Sequence, residues 1–576
     1  MKAQPKLWQN LEQPKMTKKK AIYIEDIPEN AAEYQKGLRK WLPIVILSLA
    51  LMIIIVDTTV LNVSLKVISQ DLHTNLQGLQ WVITAYALTL AAFTITGGRL
   101  GDLFGRKKMF MMGAVIFAGG SFITSISHSV GIMLIGESII EGIGAALMMP
   151  ATASLLVANY KGRDRAIAFG VWGGIAGASS AIGPIIGGFL TTNYSWRWAF
   201  RINIVVAIVL LMGSVFIAES RDTLEKKELD FVGVLLSATG LFAFVYGIIE
   251  APTYGWWKAS QPWSILGHSF TLGGYSITPI AMGIGVILLA LFALWENYAE
   301  KQGHTPLVSL KLFANTQFTS GASTVALMSL GMTGLIFAVP VFLQSVRNLD
   351  SLHTGLALLP LSLAILIVAP SSAILAKHYS AKRIIQTGLL IAVIASQYLR
   401  LLIGPNATAW NLAPGLALFG IGLGLVFAQA SNLTLSAVSV EQSGEASGVN
   451  NTMRQVGSTF GSAIIGAVVL TTLASGLVKG VMNSPDIPTK LKPQLSAFVA
   501  RDASAASLDG VKLDSNTAAK LPANTSNVLT DIAHQASADA SRKAMFYTGV
   551  FLLGAFTVSF ALPNTRDLEG RAAGRH

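Results

Sequence analysis

Long apolar runs separated by short polar connections make up most of this chain from Trp41 onward. The runs are close to 20 residues or longer, which is the length an α-helix needs to cross the hydrocarbon core of a bilayer. Fourteen such runs can be counted, so the pattern predicts fourteen membrane-spanning helices. Their approximate bounds are 41–65, 80–98, 109–127, 130–158, 166–192, 202–219, 231–250, 277–296, 318–343, 352–376, 383–403, 410–437, 447–474 and 545–563.

The distribution of Lys and Arg supports this count. Cytoplasmic loops of membrane proteins carry the excess of basic residues, so every second short loop is expected to be rich in them. With a cytoplasmic N-terminus, the short inner loops hold fifteen Lys and Arg residues and the short outer loops hold six. An even number of spans then returns the C-terminus to the cytoplasm. The pattern predicts a multi-pass protein of the cytoplasmic (inner) membrane with both termini inside.

The polar connections predict how the chain is organised outside the spans. Residues 1–40 contain no long apolar run and are expected to form a cytoplasmic tail, as are residues 564–576. Region 479–543 is the one long polar connection, and this topology places it on the outer side. Its basic residues do not contradict the charge rule, since long loops translocate largely regardless of charge.

Composition excludes several classes of protein. Of the 576 residues, 52% are hydrophobic and 12% are charged, about half the charge of an ordinary soluble protein. The absence of Cys excludes disulfides, thiolate metal sites and Cys nucleophiles. The net charge of +12 is spread over short loops, so membrane topology accounts for it better than nucleic-acid binding. No P-loop or common hydrolase motif occurs, which favours secondary transport over an enzyme, with no cofactor or metal expected.

The connection between spans 2 and 3, residues 98–108, reads GRLGDLFGRKK. By composition alone it could equally be an ordinary basic inner loop. The order of its residues resembles the signature loop of the major facilitator superfamily, which forms a cytoplasmic gate that stabilises the outward-facing state. The resemblance implies this role for Gly98, Asp102, Gly105 and Arg106.

Further segments extend the resemblance. They are Asp57–Leu65, Trp81–Tyr86, Gly183–Gly188, Trp196–Asn203 and Gly444–Gln455. Together they resemble the fourteen-span drug:proton antiporter family over Trp41–Leu562. That family implies an all-α polytopic major facilitator fold, with two six-helix bundles at 41–220 and 301–563 and two additional central helices within 221–300.

The same resemblance implies an antiporter motif in span 5. Its residues here are Gly183, Pro184, Gly187 and Gly188. Small residues together with a helix-interior Pro favour a closely packed, bendable segment. Ordinary glycine-rich helix packing is the alternative interpretation.

An ionised side chain at mid-bilayer costs about 2.5–3.5 kcal/mol on insertion scales, so intramembrane charges are candidate functional groups. Asp57 follows six apolar residues and precedes Thr58, Thr59 and Asn62, which predicts a position in the outer half of span 1. We interpret it as a protonatable carboxylate. The alternative is a polar cap at the membrane interface.

Span 4 departs from the family pattern. The family normally has an Arg followed three positions later by a Gln, whereas this chain has Ser138 and Glu141 there. Glu137 and Glu141 are spaced i, i+4, which places them on one helix face, where like charges favour sharing one proton. We hypothesise that the pair replaces the Arg in handling protons and favours cationic substrates. The alternative is that both acids lie hydrated near the end of the span.

Other polar or aromatic residues inside the spans are candidates for the substrate cavity. They are Asn62, Tyr86, Trp172, Asn450, Asn451 and Arg454. Arg454 could serve as a cavity cation or as the centre of a structural hydrogen-bond network. Trp172 could face lipid, a cavity or the helix packing, and packing is favoured.

These observations predict a proton-coupled exporter of lipophilic or cationic drugs and similar amphiphiles. Its expected partners are the lipid bilayer, protons, small-molecule substrates and, in a host with two membranes, a periplasmic adaptor. No nucleic-acid partner is expected. The alternatives are a dedicated exporter of one metabolite, lipid or siderophore, and a non-transporting membrane sensor or assembly subunit. A membrane-embedded enzyme lacks a supporting catalytic cluster.

Overall fold

A computed structural model describes residues 37–563 except 161, 221–228, 266–267, 305, 377, 436, 439–442 and 502–524. Most of the predicted N-terminal tail and all of the predicted C-terminal tail, 564–576, therefore lie outside the described residues. Met1–Trp41 and Leu42–His576 form separate units. In the first, the described residues Gly37–Trp41 form a 3₁₀ helix.

Fourteen long helical segments follow the fourteen predicted spans in order along the described chain. They are α1 (Leu42–Asp71), α2 (Leu76–Phe104), α3 (Arg106–Ser125), α4 (Val130–Met133, Leu134–Glu141 and Gly142–Asn159), α5 (Gly162–Asn193), α6 (Arg197–Gly213), α7 (Phe231–Tyr254), α8 (Ile277–Lys301), α9 (Thr316–Ser345), α10 (Ser351–Ala357 and Leu359–Leu375), α11 (Ala381–Leu402), α12 (Ala409–Leu435), α13 (Ser443–Asn483) and α14 (Thr525–Val558). A short hairpin of β1 (Trp263–Ile265) and β2 (His268–Phe270) lies between α7 and α8.

The length and hydropathy of these helices support a polytopic membrane protein. Among the described residues, twelve helices are long and apolar enough to cross a membrane, or thirteen if the two parts of α10, bent by 41°, form one span. Helix α5, with 32 residues, is the remaining candidate. The all-α membrane fold is confirmed, and fourteen spans are compatible with it.

Polar residues placed just before the apolar runs explain where many helices begin. Asn75, Ser129, Asp230, Asn315 and Asp350 each accept a hydrogen bond from a backbone N–H of the following first turn. Such caps satisfy donors that have no partner inside the helix. The helix starts are therefore encoded locally in the sequence.

The last two helices differ from the prediction. Helix α13 continues to Asn483 and α14 already begins at Thr525, and Lys492–Arg501 forms a further short helix. Much of the described part of 479–543 is thus helical, although it was predicted as a polar loop. Ala-rich polar segments have high helix propensity without the apolar length that marks a span.

The helices pack in two groups. In the first, α1 packs on α5 and α6, and α4 packs on α2 and α3. In the second, α9 packs on α12, α13 and α14, α10 packs on α12, and α11 packs on α12 and α14. Helices α7 and α8 pack mainly on each other, and α7 also contacts α2 and α13. Only 22% of the most apolar stretch of α8 is buried inside the protein. The α7–α8 pair is therefore central in the sequence but lies at the periphery of the helix packing.

Two buried glutamines join the two groups, and we call these contacts the seam. Gln344 Nε2 on α9 donates to the Val63 carbonyl of α1 (3.0 Å), and its Oε1 accepts from the Lys66 backbone N–H (3.0 Å). Gln80 Nε2 on α2 donates to the Ala463 carbonyl of α13 (3.1 Å). Both glutamine residues are fully buried. The seam therefore consists of amide groups bonded to the backbone of the opposite group.

Candidate functional site

Asp57 lies at the middle of the 30-residue helix α1 and is only 3% exposed. It therefore lies at mid-helix, at the start of the half that the sequence predicted, and not at a helix end as a polar cap. Polar neighbours after Asp57 suggested the approach of a helix end. The helix instead continues for fourteen residues beyond it, because Val60, Leu61, Val63 and Leu65 are buried in protein contacts.

Glu137 and Glu141 lie on the π-helical turn Leu134–Glu141 in α4, and both are 0% exposed. The alternative of hydrated acids near a span end is therefore wrong. A π-helical turn contains one extra residue per turn and is frequent at functional sites. Helix α3 contacts this turn closely, since a Cβ on Gly120 would lie 2.5 Å from the Glu141 backbone nitrogen. Glycine at this position lets α3 approach the acidic turn.

Tertiary structure brings the three acids into one cluster. One carboxylate oxygen from each of Asp57, Glu137 and Glu141 lies within 4.8 Å of the other two. We call these three residues the carboxylate cluster. Two ionised groups at that distance repel by about 3 kcal/mol even at an effective dielectric constant of ~20. Three buried ionised carboxylates are therefore unfavourable together, and a bound proton or cation would relieve the repulsion.

Two residues that were not predicted as site residues supply hydrogen bonds to the cluster. Asn203 Nδ2 on α6 donates to Asp57 Oδ1 (2.8 Å) and to Glu141 Oε1 (2.9 Å). Ser121 Oγ on α3 donates to the same Glu141 oxygen (2.6 Å). Asn203 could have been identified as an isolated amide in an apolar span, by the reasoning used for intramembrane charges. Ser121 gave no comparable signal.

The cluster has more hydrogen-bond acceptors than donors. In the described part of the chain, Asp57 Oδ2, both oxygens of Glu137 and Glu141 Oε2 have no donor. The Tyr86 hydroxyl is also buried without a partner there, and it lies within electrostatic reach of all three acids. Three carboxylates could ligate a hard cation. Asn203, however, donates N–H groups to two of these carboxylates. A donor there stabilises an ionised carboxylate and competes with a metal ion for its oxygens, so the arrangement suits a shared proton better than a metal ion.

The antiporter motif packs α5 between α1 and α10. Its residues Gly183, Pro184, Gly187 and Gly188 are all buried. A Cβ on Gly183 would lie 2.0 Å from Thr59 Oγ1, two residues beyond Asp57. A Cβ on Gly188 would lie 2.5 Å from the Ser351 carbonyl oxygen of α10. The motif thus connects the helix that carries Asp57 with the second group of helices.

The signature loop contacts the end of the first group. Gly105 has a φ of +103°, which favours glycine, and it separates α2 from α3. The Arg106 N–H donates to the Ser220 carbonyl (3.0 Å), and the Lys107 N–H donates to Glu219 Oε1 (2.9 Å). Sequence reasoning missed Glu219. Gly98 lies near the end of α2. The side chain of Asp102 lies outside the described part.

The remaining cavity candidates lie on several helices. Asn62 is buried near the seam and bonds to the Thr58 carbonyl of its own helix (2.8 Å), whereas Trp172 is half-buried in α5. Arg454 is half-buried, and its Nη2 donates to Asn451 Oδ1 (3.3 Å). Asn450 is also buried. Within the described residues, Arg454 forms no ion pair with the carboxylate cluster.

The packed helices and the buried polar groups define a polytopic membrane transporter rather than an enzyme. The model of the Major Facilitator Superfamily matches residues 47–462, and the chain belongs to this family.

Similar curated proteins are drug-resistance and export proteins. The tetracenomycin C resistance and export protein of Streptomyces glaucescens is 30% identical, over 75% of this chain and 76% of its own length. Multidrug efflux pump LfrA of Mycolicibacterium smegmatis is 27% identical, over 86% of this chain and 91% of its own. Multidrug resistance protein Stp of Mycobacterium tuberculosis (strain CDC 1551 / Oshkosh) is 28% identical, over 76% and 77%.

Solved structures share the fold. A bacterial homolog of the human lysosomal transporter Spinster gives a TM-score of 0.56 at 15% identity, covering 92% of this chain and 98% of its own. A bacterial homologue of the human peptide transporters PepT1 and PepT2 gives 0.52 at 13% identity, covering 90% and 98%. The predicted major facilitator fold is confirmed.

Proposed function

We propose that this protein is a proton-coupled antiporter that exports lipophilic or cationic small molecules. The observation that carries the proposal is the carboxylate cluster, in which Asp57, Glu137 and Glu141 are buried with oxygens within 4.8 Å of one another. Drug-resistance and export proteins among the similar sequences support export as the direction. The basic inner loops support a cytoplasmic-membrane location with both termini inside.

In the proposed cycle, a proton and a cationic substrate compete for the same negative charge. Protonation forms one O–H bond on a carboxylate oxygen and removes one unit of charge from the cluster. A bound cation then loses part of its electrostatic attraction and is released. Loss of the proton restores the charge and the affinity for the next cation. Binding of neutral lipophilic substrates would depend instead on apolar contacts, and their release would depend on whether the seam is open or closed.

Helix α5 offers a path by which the cluster can influence the contact between the two groups. It contacts α1 at Thr59, just beyond Asp57, and contacts α10 at Ser351. A closely packed interface tends to have discrete arrangements rather than to deform continuously. We propose that a small displacement of α1 on protonation is transmitted through α5 to α10. The two helix groups would then exchange between inward-open and outward-open states.

A dedicated exporter of one metabolite is a second candidate. It is supported by relatives whose names refer to one compound, such as the probable actinorhodin transporter of Streptomyces coelicolor. The carboxylate cluster would serve proton coupling in either case, so the two candidates differ in substrate range. A chemically varied substrate panel distinguishes them.

The test uses purified full-length protein in proteoliposomes with an imposed pH gradient. Lipophilic cations of different shapes and one neutral amphiphile are supplied, and both substrate and proton fluxes are recorded. We expect uptake of several cations coupled to opposite proton movement and abolished by a protonophore. Transport of one compound alone would support the dedicated exporter. Substrate transport at a rate that does not depend on the pH gradient would refute proton coupling.

A further inference from the structure

Hydrogen bonds are distributed unequally over the carboxylate cluster. Asp57 Oδ1 and Glu141 Oε1 both accept from Asn203, and Glu141 Oε1 also accepts from Ser121. Neither oxygen of Glu137 has a donor among the described residues, although Glu137 is fully buried. Donors favour the ionised form of the carboxylate that they contact. Asp57 and Glu141 are thus better prepared than Glu137 to carry negative charge.

We propose that Glu137 carries the exchangeable proton and that Asn203 is the positioning residue that directs the proton there. This inference rests on the proposed function, because it names the group that would exchange the proton during transport. Asn203 joins Asp57 of α1 to Glu141 of α4 through one amide group. Glu137 supplies an O–H donor toward these two carboxylates once it is protonated.

The surroundings contain few other charged or titratable groups. Helix α1 contributes Asp57, α4 contributes Glu137 and Glu141, and α2 contributes the Tyr86 hydroxyl. Helices α3 and α6 present the uncharged groups of Ser121 and Asn203. Arg201 of α6 lies instead over the ring of Trp198, 5.1 Å from its centroid. Within the described residues, no basic side chain pairs with the cluster, so its charge is left for a bound proton or a cationic substrate to reduce.

The proton step balances without a further reactant. An incoming proton forms one O–H bond on a Glu137 oxygen, and this hydroxyl donates a hydrogen bond to Asp57 or Glu141. The cluster becomes less negative by one unit. Release breaks the same O–H bond and returns the proton to water on the other side. Asn203 remains bonded to both carboxylates throughout and prevents them from separating.

The first experiment identifies the residue that carries the proton. Infrared difference spectra of the reconstituted full-length protein are recorded across a pH titration, which reports the protonated carboxylic C=O band directly. We expect the titrating band to vanish in Glu137→Gln and to remain, shifted in midpoint, in Asp57→Asn and Glu141→Gln. A band that persists unchanged in Glu137→Gln would overturn the assignment.

The second experiment tests the role of Asn203. In Asn203→Leu, ionised Asp57 loses its donor and ionised Glu141 keeps only the Ser121 hydroxyl, so the cluster should hold protons more strongly. We expect the midpoint of the infrared titration to move to higher pH by about one unit, in line with the loss of a hydrogen bond to a charged group. An unchanged midpoint in the folded variant would refute the positioning role. Asn193→Leu is the matched control, since Asn193 is exposed and its side chain, among the described residues, bonds to its own helix alone, at the Phe189 carbonyl.

An exchanged pair keeps the test valid if Asn203→Leu folds poorly. The double variant Asp57→Asn/Asn203→Asp moves the carboxylate from α1 to α6 and keeps one amide opposite one carboxylate. We expect it to recover more of the wild-type titration than either single variant. A double variant no better than the single variants would refute the pairing. These spectra need no transport, so wild-type protein that titrates at Glu137 but moves no proton with substrate would contradict the proposed function alone.

Discussion

The carboxylate cluster lies inside the first group of helices, whereas the seam joins the two groups through uncharged amides. The cluster holds three buried acids from α1 and α4. In the seam, Gln344 and Gln80 donate to backbone carbonyls of the opposite group, and no ion pair crosses among the residues described at these contacts. In a transporter of this fold, the groups move against each other while each group keeps much of its own packing.

This difference has a physical reason. Breaking a neutral hydrogen bond costs about 0.5–1.5 kcal/mol, and water can replace it when the seam opens. Separating a buried ion pair would leave an uncompensated charge, at about 3–5 kcal/mol. Neutral groups are therefore suited to a contact that opens in each cycle. Charged groups are suited to a site inside one group of helices, where Asn203 bonds to two of the carboxylates at once.

The largest effect is expected from removing the acid that we propose to carry the exchangeable proton. Glu137→Gln preserves the size of the side chain but cannot take up or release a proton. We expect proton-driven export to fall more than about tenfold while downhill movement of substrate persists, because the pathway remains. Proteoliposome flux under a pH gradient and under a substrate gradient measures both. Asp539→Asn, an exposed acid of α14, is the control. Full pH-driven antiport by Glu137→Gln would show that the cluster is not the coupling site.

Neutralising either of the other two acids should have a smaller and selective effect. Asp57→Asn and Glu141→Gln each remove one of the negative charges that would attract a cation. We expect transport of cationic substrates to weaken several-fold more than transport of a neutral amphiphile, with a changed pH profile in both variants. Efflux of matched charged and neutral compounds across a pH series measures this. Wild-type profiles for both compound classes would make these acids bystanders.

Changes at the seam should alter the populations of the inward-open and outward-open states rather than the coupling of transport to protons. Gln344→Leu removes the hydrogen bonds to Val63 and Lys66, so the closed seam should lose about 1–3 kcal/mol relative to the open state. The chain contains no Cys, so spin labels can be attached at introduced Asn193→Cys and Arg347→Cys positions on opposite groups. We expect a larger share of long distances between these labels.

A matched glutamine controls for loss of packing at the seam. Gln429 is buried inside the second group and bonds to Ser372 of the same group (3.3 Å). Gln429→Leu should lower stability without changing the distribution of label distances. An equal shift in both variants would show that Gln344 acts through general packing and not through the seam.

The smallest effect is expected at the signature loop. Glu219 accepts from the Lys107 N–H at the start of α3, where a carboxylate is favoured by about 0.3–1 kcal/mol. Glu219→Gln should slow transport less than about fivefold, and added salt should reduce the difference between variant and wild type. Initial efflux rates at two ionic strengths measure it. A loss as large as that of Glu137→Gln would place the loop, rather than the cluster, at the centre of coupling.

Much of the fold could be predicted because its signals are local. Apolar length defined the spans, and residues such as Asn75 and Asp230 mark helix starts within a few positions. Sequence reasoning predicted a polar connection in 479–543 and did not identify its helices, since Ala-rich helix continues there beyond the apolar run. Helix propensity and membrane burial are separate properties in this region. Hydropathy reports membrane burial alone, so it did not reveal the polar helical turns.

Sequence alone determined the chemistry available to the site, and tertiary structure decided how it is combined. Asp57, Glu137 and Glu141 stood out because an acid in an apolar span is costly and rarely accidental. Their union in one cluster depends on the packing of α1 against α4, which no local pattern reports. Asn203 and Ser121 likewise gained their importance from helices that meet only in the folded protein. Hydropathy is a property of each segment, whereas a distance between side chains on different helices exists only once those helices have packed.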